Sequence, residues 1–401
     1  MKYAVVLCDG LADRPIEELS GKTIMEAADI PHIRRLSREG ELGLVRTVPE
    51  GMAPGSDTAN LSVMGYAPQT YYTGRSPLEA VSMGIELAPT DRTFRCNLVT
   101  LSGEGAYEDK IMADYSAGEI TTEESTELIR TLGKALNDEE LHLYPGISYR
   151  HCLVWKNAPA GFTLTPPHDI SDRPVAGHLP AGEAAGRLLE LMKRSVDLLK
   201  DHPVNRARRA RGLNTADSIW LWGDGTKPAL TSFEKEHGLK ASVISAVDLI
   251  KGIGLCAGME ILEVPGATGT VDSNFPGKAE AAIRSLKGGK DFVYIHMEAP
   301  DECGHHGDVA GKIRSIERID SEVVAPLCEA FQGEELSILL LPDHPTPVSI
   351  KTHCGDPVPY LIWRSTGNTP SNLDYSEKNG AATGIFQPSG PALMRRFLGE
   401  E

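Results

Sequence analysis

Four short segments concentrate residues able to hold a metal ion. Asp301 and His305 lie four apart in Asp301-Glu-Cys-Gly-His305-His306-Gly, Asp343 and His344 are adjacent, His353 follows in a Gly/Pro-rich loop, and Asp9 closes the first apolar run. Five of the twelve histidines fall between 296 and 353, where even spacing would put about two. Carboxylate oxygen with imidazole nitrogen suits Mn²⁺, Mg²⁺ or Zn²⁺. Six such ligands exceed what one ion with an open position takes and suit two. Each Asp or His alone could be a loop cap; their shared position after apolar runs is what points to a metal.

Those apolar runs supply the positioning elements. Residues 3–7, 218–222, 241–245, 292–295 and 337–341 are short, rich in β-branched side chains and mostly followed by helical patterning, which predicts buried parallel strands of an α/β fold. Asp9, Asp301 and Asp343 then emerge near the carboxyl ends of such strands, where open α/β sheets bind ligands. Between 23 and 38, Pro31 should open a second short helix that Gly40 stops. From 85 to 195 the texture changes to strand-like pieces at 93–101 and 149–155, a helix over Thr122–Leu136 and Pro/Gly-rich turns. We read this as a smaller α+β domain inserted into the core, giving residues 1–84 and 196–401 as core and 85–195 as insert. A basic helix over 188–211, carrying Arg206, Arg208, Arg209 and Arg211, reads as a solvated hinge at the start of the second core part.

Composition removes several classes. The 401 residues suggest two to three domains of about 150 residues each. A net charge of −16 disfavours nucleic acid and anionic membrane while leaving room for a local basic pocket. No window approaches a membrane span, and the N-terminus reads as a strand, not a leader. Seven scattered cysteines without a C-x-x-C pair fit a reducing compartment, so a cytoplasmic location is expected, and Cys303 and Cys354 read as packing residues. His296 and His306 read as support or solvent-facing residues, and Lys312, Arg314 and Arg318 as a solvated helix face.

Ser56, preceded by Gly55 at a loop-to-helix junction, is by itself a helix cap. Its neighbours add more. Asp9-Gly10, Pro54-Gly-Ser56-Asp-Thr-Ala59, Asp301 with His305, Asp343-His344 and His353, in this order, resemble the alkaline phosphatase superfamily and, within it, the archaeal-type cofactor-independent phosphoglycerate mutases. Gly74-Arg75-Ser-Pro-Leu-Glu-Ala80, Phe94-Arg95-Cys-Asn97 and Pro166-Pro-His-Asp-Ile170 extend the resemblance over essentially the whole chain.

The resemblance implies an alkaline-phosphatase-like, mostly parallel sheet with helices on both faces and an inserted domain. It implies two divalent cations, Mn²⁺ foremost with Mg²⁺ or Zn²⁺ as alternatives, and no 2,3-bisphosphoglycerate. Asp301, His305 and His353 would surround one cation, and Asp9, Ser56, Asp343 and His344 the other. Ser56 would be the nucleophile that carries phosphate between 3-phosphoglycerate and 2-phosphoglycerate, a step of glycolysis and gluconeogenesis. The chemistry agrees, since a serine hydroxyl is inert at its own pKa and a metal at a helix N-terminus can activate it without a Ser-His-Asp triad. The insert would act as a lid that excludes water from the phosphoserine.

Substrate phosphate and carboxylate call for cations, for which Arg75, Arg95, Arg150, His151, Lys227 and Lys251 are candidates, together with Asp169. Oligomeric state is left open. A homoserine kinase-like branch, suggested by residues 113–124, is the alternative, although Gly223-Asp-Gly-Thr-Lys227 is a poor match to a phosphate-binding G-x-x-x-x-G-K-[ST] loop. A non-enzymatic metal-binding protein is a third class. No Cys-x-Pro-x-Arg segment supports a sulfatase.

Overall fold

The computed structural model describes residues 1–400. Among them thirteen strands follow one another: β1 (Lys2–Cys8), β2 (Glu41–Val45), β3 (Arg92–Ser102), β4 (Ile111–Asp114), β5 (Leu141–Tyr144), β6 (Arg150–Trp155), β7 (Ser218–Thr226), β8 (Ala241–Ile244), β9 (Glu260–Ile261), β10 (Phe292–Met297), β11 (Leu336–Leu341), β12 (Val358–Arg364) and β13 (Phe386–Gln387). The chain divides into two compact units, residues 1–72 with 229–401, and residues 73–228.

The first unit is built on an eight-stranded sheet in the order β13-β2-β12-β11-β1-β10-β8-β9. Only β12 runs against its neighbours β11 and β2. The middle strands are apolar without alternation because both faces are covered; all of β10 and β11 is buried. Helices Pro31–Glu39 and Phe275–Lys287 pack on this sheet, and Pro31 opens its helix as the sequence predicts. Register decides what the sheet presents: β1 pairs in parallel with β10 through Cys8 and Met297 and with β11 through Leu7 and Leu341. The chain therefore leaves all three strands at one edge, with Asp9 and Asp343 one and two residues beyond.

The second unit holds β3 to β7. β3 pairs antiparallel with β4, β6 and β7, and β5 joins β6. Helices Thr122–Leu136 and Ala185–Leu199 cover the sheet, closing a core that includes Phe94, Leu98, Leu128, Met192 and Trp220. Three expectations are corrected here. The run at 218–222 is an antiparallel partner of β3, so it and the helices before it belong to this unit, which spans 73–228 where the sequence suggested 85–195. The basic helix over 188–211 breaks at Pro203 into Ala185–Leu199 and Pro203–Ala210. Arg208, expected in solvent, is buried, because its helix turns it toward the start of Thr122–Leu136, where it donates to the Asn214 and Ala117 carbonyls and pairs with Glu124.

Candidate metal centre

All seven residues expected to hold metal or act as nucleophile lie in the first unit and converge beyond the shared edge of β1, β10 and β11. Asp301 and His305 stand one turn apart on the helix Ala299–His306, which follows β10 and so aims both side chains the same way. Asp9 and Asp343 follow β1 and β11 directly, and Ser56 opens the helix Ser56–Val63. Gly10 is needed between them. It takes φ +62°, and a Cβ there would come within 2.4 Å of Asp301 Oδ1 and 2.6 Å of Thr346 Oγ1.

Asp301, His305 and His353 form one cluster. His305 Nε2 is 3.2 Å from Asp301 Oδ2 and 3.0 Å from His353 Nε2, and His353 Nε2 is 3.5 Å from Asp301 Oδ1. His305 Nδ1 faces the Lys351 carbonyl at 3.1 Å, an arrangement that places its proton there and leaves Nε2 for a ligand. The Asp301 hydrogen bond pushes His305 up to about 9 when no metal competes. Burial opposes charge on Asp301, but the His305 and His353 hydrogen bonds outweigh it and hold the carboxyl well below its ordinary range.

Around His344 a second cluster gathers. Its Nε2 is 3.2 Å from Ser56 Oγ, 3.4 Å from Asp343 Oδ2 and 3.5 Å from Asp9 Oδ1. Asp9, Asp301 and His344 also bring one ligand atom each within 4.8 Å of one another. Asp301 thus faces both clusters, where the resemblance assigned it to one. Asp9 Oδ1 is buried and accepts no hydrogen bond, and burial together with the Asp343 and Asp301 carboxylates drives its pKa far upward. An orphaned carboxylate oxygen among acidic neighbours is what a divalent cation relieves, so these residues fit the expected ions.

Several supports were not legible in the sequence. Asn60, one turn after Ser56, donates from Nδ2 to the Ser56 carbonyl and to Asp343 Oδ2, both at 2.8 Å, and its Oδ1 accepts from Tyr294 at 2.7 Å. The i+4 spacing from Ser56 was the available signal. Thr346 donates to Asp301 Oδ1 and lies 3.3 Å from His344 Nδ1. Lys312, expected in solvent, is instead fully buried, donating to Asp13 Oδ2 and the Thr346 carbonyl at 2.8 Å each. Its helix, Val309–Ile319, turns that face inward, and a buried ammonium persists only with such partners. His296, read from the sequence as a support or a solvent-facing residue, is buried and takes the first of these places, its Nε2 2.9 Å from Asp9 Oδ2. Ser56, read on its own as a cap, caps nothing, because Gly55 is the N-cap residue and the first-turn amide of Thr58 is bonded by Asp57 Oδ1 at 2.8 Å, not by Ser56.

Of the proposed substrate residues, Lys251 belongs to this unit and pairs with Glu263 at 2.8 Å. The others belong to the second. Arg75 and Arg95 share Glu79 at 2.9 and 3.0 Å, and the Arg95 guanidinium stacks 4.3 Å from the Trp222 ring. Arg150 is exposed beside the Tyr149 ring. Asp169 lies in the turn Pro167–Ile170 next to His168, and Lys227 is exposed. His151 cannot serve as a cation. It is buried in β6, where burial pushes it down to about 3, and its Nδ1 accepts from the Gly146 amide at 2.9 Å.

A sequence model described as 2,3-bisphosphoglycerate-independent phosphoglycerate mutase matches residues 37–205. A Geobacter sulfurreducens protein named probable 2,3-bisphosphoglycerate-independent phosphoglycerate mutase is 47% identical over 402 residues, covering 99% of this chain and 100% of its own. A Methanothrix thermoacetophila protein of the same name, without the qualifier, is 49% identical over 400 residues with coverage of 99% and 100%. The chain belongs to this mutase family. A Pyrococcus horikoshii structure superposes with TM-score 0.84 at 29% identity, covering 100% of this chain and 98% of that one. The cofactor-independent phosphoglycerate mutase of Thermoplasma acidophilum shares the fold, with TM-score 0.70 at 24% identity and coverage of 100% and 99%.

For a member of the 2,3-bisphosphoglycerate-independent mutase family, the name itself implies that no bisphosphoglycerate primes the enzyme. No described helix is long and apolar enough to cross a membrane.

Proposed function

We propose that the chain interconverts 3-phosphoglycerate and 2-phosphoglycerate through a phosphoserine on Ser56 at a site holding two divalent cations. Full-length identity of 47–49% to relatives carrying the mutase name supports the reaction. The observation that carries the chemistry is the 3.2 Å approach of Ser56 Oγ to His344 Nε2 inside the Asp/His assembly.

Asp301, His305 and His353 would hold one cation, and Asp9, Asp343, His344 and Ser56 the other, with Asp301 within reach of both. Bound there, divalent cations would acidify the Ser56 hydroxyl and neutralise phosphoryl oxygens. Ser56 Oγ attacks phosphorus, and its O–P bond forms as the bond to the C3 oxygen breaks. The proton lost by Ser56 ends on the released glycerate hydroxyl. The reverse transfer, onto the C2 oxygen, restores the serine. Asn60 holds the Ser56 carbonyl and Asp343 together, so the nucleophile keeps its place through both transfers. Arg75, Arg95, Arg150, Lys227 and Lys251 supply candidate positive charge for the substrate carboxylate and phosphate, and Asp169 and His151 candidate polar contacts.

Incubation of Mn²⁺-loaded protein with 3-phosphoglycerate, followed by ³¹P NMR, should yield 2-phosphoglycerate with no nucleotide or bisphosphoglycerate added. Faster formation of ADP from ATP and homoserine on the same preparation would replace this reading with a kinase.

A further inference from the structure

His296 and Tyr294 alternate with Ile295 on β10 and so face the same side of the sheet. Tyr294 reaches Asn60. His296 reaches Asp9, its Nε2 lying 2.9 Å from Asp9 Oδ2 with both side chains buried. A cation-binding Asp9 is ionised and its oxygens only accept, so in that state Nε2 carries the proton and Nδ1 is the acceptor. That acceptor lies 3.2 Å from Ser245 Oγ, whose own acceptor role is filled by the Val247 amide at 2.9 Å. The Ser245 hydroxyl proton has two acceptors in reach, Nδ1 at 3.2 Å and the Val247 carbonyl at 3.5 Å, and Nδ1 is the nearer. Lys278, also buried, donates to the His296 carbonyl at 2.8 Å and pins the backbone of this residue.

The consequence for Asp9 is an unequal carboxylate. Oδ2 is taken by His296, while Oδ1 is buried without a hydrogen-bond partner and points toward His344 Nε2 at 3.5 Å. We infer that His296 is a positioning residue, held in one tautomer by Ser245, which occupies Asp9 Oδ2 so that Asp9 offers the single oxygen Oδ1 to a divalent cation. The inference rests on the metal-dependent reading above. Partners of metal ligands of this kind contribute about 10–100-fold in affinity.

Mn²⁺ binding separates the two ideas. Titration calorimetry, with free Mn²⁺ counted by electron paramagnetic resonance, is run on the full chain and on His296→Leu, His296→Gln and Ser245→Ala, with thermal melting in EDTA for each. No Mn²⁺ binding by the unaltered protein defeats the metal-dependent reading itself. Given binding, His296→Leu should weaken one site at least about 10-fold. His296→Gln, whose amide nitrogen can reach the place of Nε2, should keep affinity within a few-fold. Ser245→Ala, two bonds removed from Asp9, should weaken the same site without touching a ligand. Unchanged affinity in His296→Leu overturns the inference, as does equal loss in the Leu and Gln variants alongside equal loss of melting temperature. If the Leu variant does not fold, retained affinity in Gln with weakening in Ser245→Ala supports the assignment, and any other pattern overturns it.

Discussion

Ser56 Oγ lies 3.2 Å from His344 Nε2, although 288 residues separate the two in sequence. The hydroxyl is not used to cap its helix, since Gly55 takes that position. A serine at a helix start that bonds no backbone amide is available for chemistry.

Ser56→Ala should therefore abolish phosphoryl transfer with little effect on the fold. The expected stability change is within about 0.5 kcal/mol, because no cap is lost. Urea denaturation checks the second part. Mass spectrometry of the unaltered protein after exposure to 3-phosphoglycerate should find phosphate on Ser56, and mutase activity surviving in the Ala variant would require a different carrier.

Chelation should remove activity, and Mn²⁺ should restore it. The two clusters share Asp301, so Asp301→Asn should deplete both cations while His305→Ala depletes mainly one. Elemental analysis of the purified variants distinguishes these outcomes. Full activity in excess EDTA would leave no role for a metal.

Metal binding should become tighter as pH rises. In the metal-free protein, His305 is raised to about 9 by its hydrogen bond to Asp301. The protonated ring stabilises that fold fully below its ordinary value of about 6.5, and this contribution is lost as pH climbs through about 9. A cation needs the neutral ring, so binding near pH 7.5 should expel close to one proton from His305. Calorimetry in two buffers of different ionisation enthalpy measures the release, and an affinity independent of pH between about 6.5 and 9 would contradict it.

Lys312→Met should destabilise the first unit by about 3–5 kcal/mol, since it leaves Asp13 charged and buried without its partner. The double change Lys312→Met with Asp13→Leu should recover much of that loss. Because Lys312 also holds the Thr346 carbonyl, and Thr346 bonds Asp301, metal affinity should fall in the single variant as well. Equilibrium unfolding in urea, with and without Mn²⁺, reads both effects.

Much of the centre is legible in the chain because parallel strands buried on both faces announce themselves as uninterrupted apolar runs. Residues 3–7, 292–295 and 337–341 are such runs, and Asp9, Asp301 and Asp343 come after them, so residue type and local spacing were enough to pick out the side chains that the structure brings together and to place Ser56 at a helix start. Lys312 and Arg208 were not legible. A charged helix face looks the same in sequence whether it meets water or Asp13, and Glu124 lies 84 residues from the Arg208 it neutralises. The run at 218–222 has the composition of a core strand, and only its pairing with β3 makes it an antiparallel member of the second unit. Sequence by itself determined which side chains could do chemistry, since periodicity and strand-end position are local properties. Tertiary structure decided which oxygen of Asp9 is free, which lysine is buried and which unit owns each strand, because burial and pairing depend on partners far along the chain.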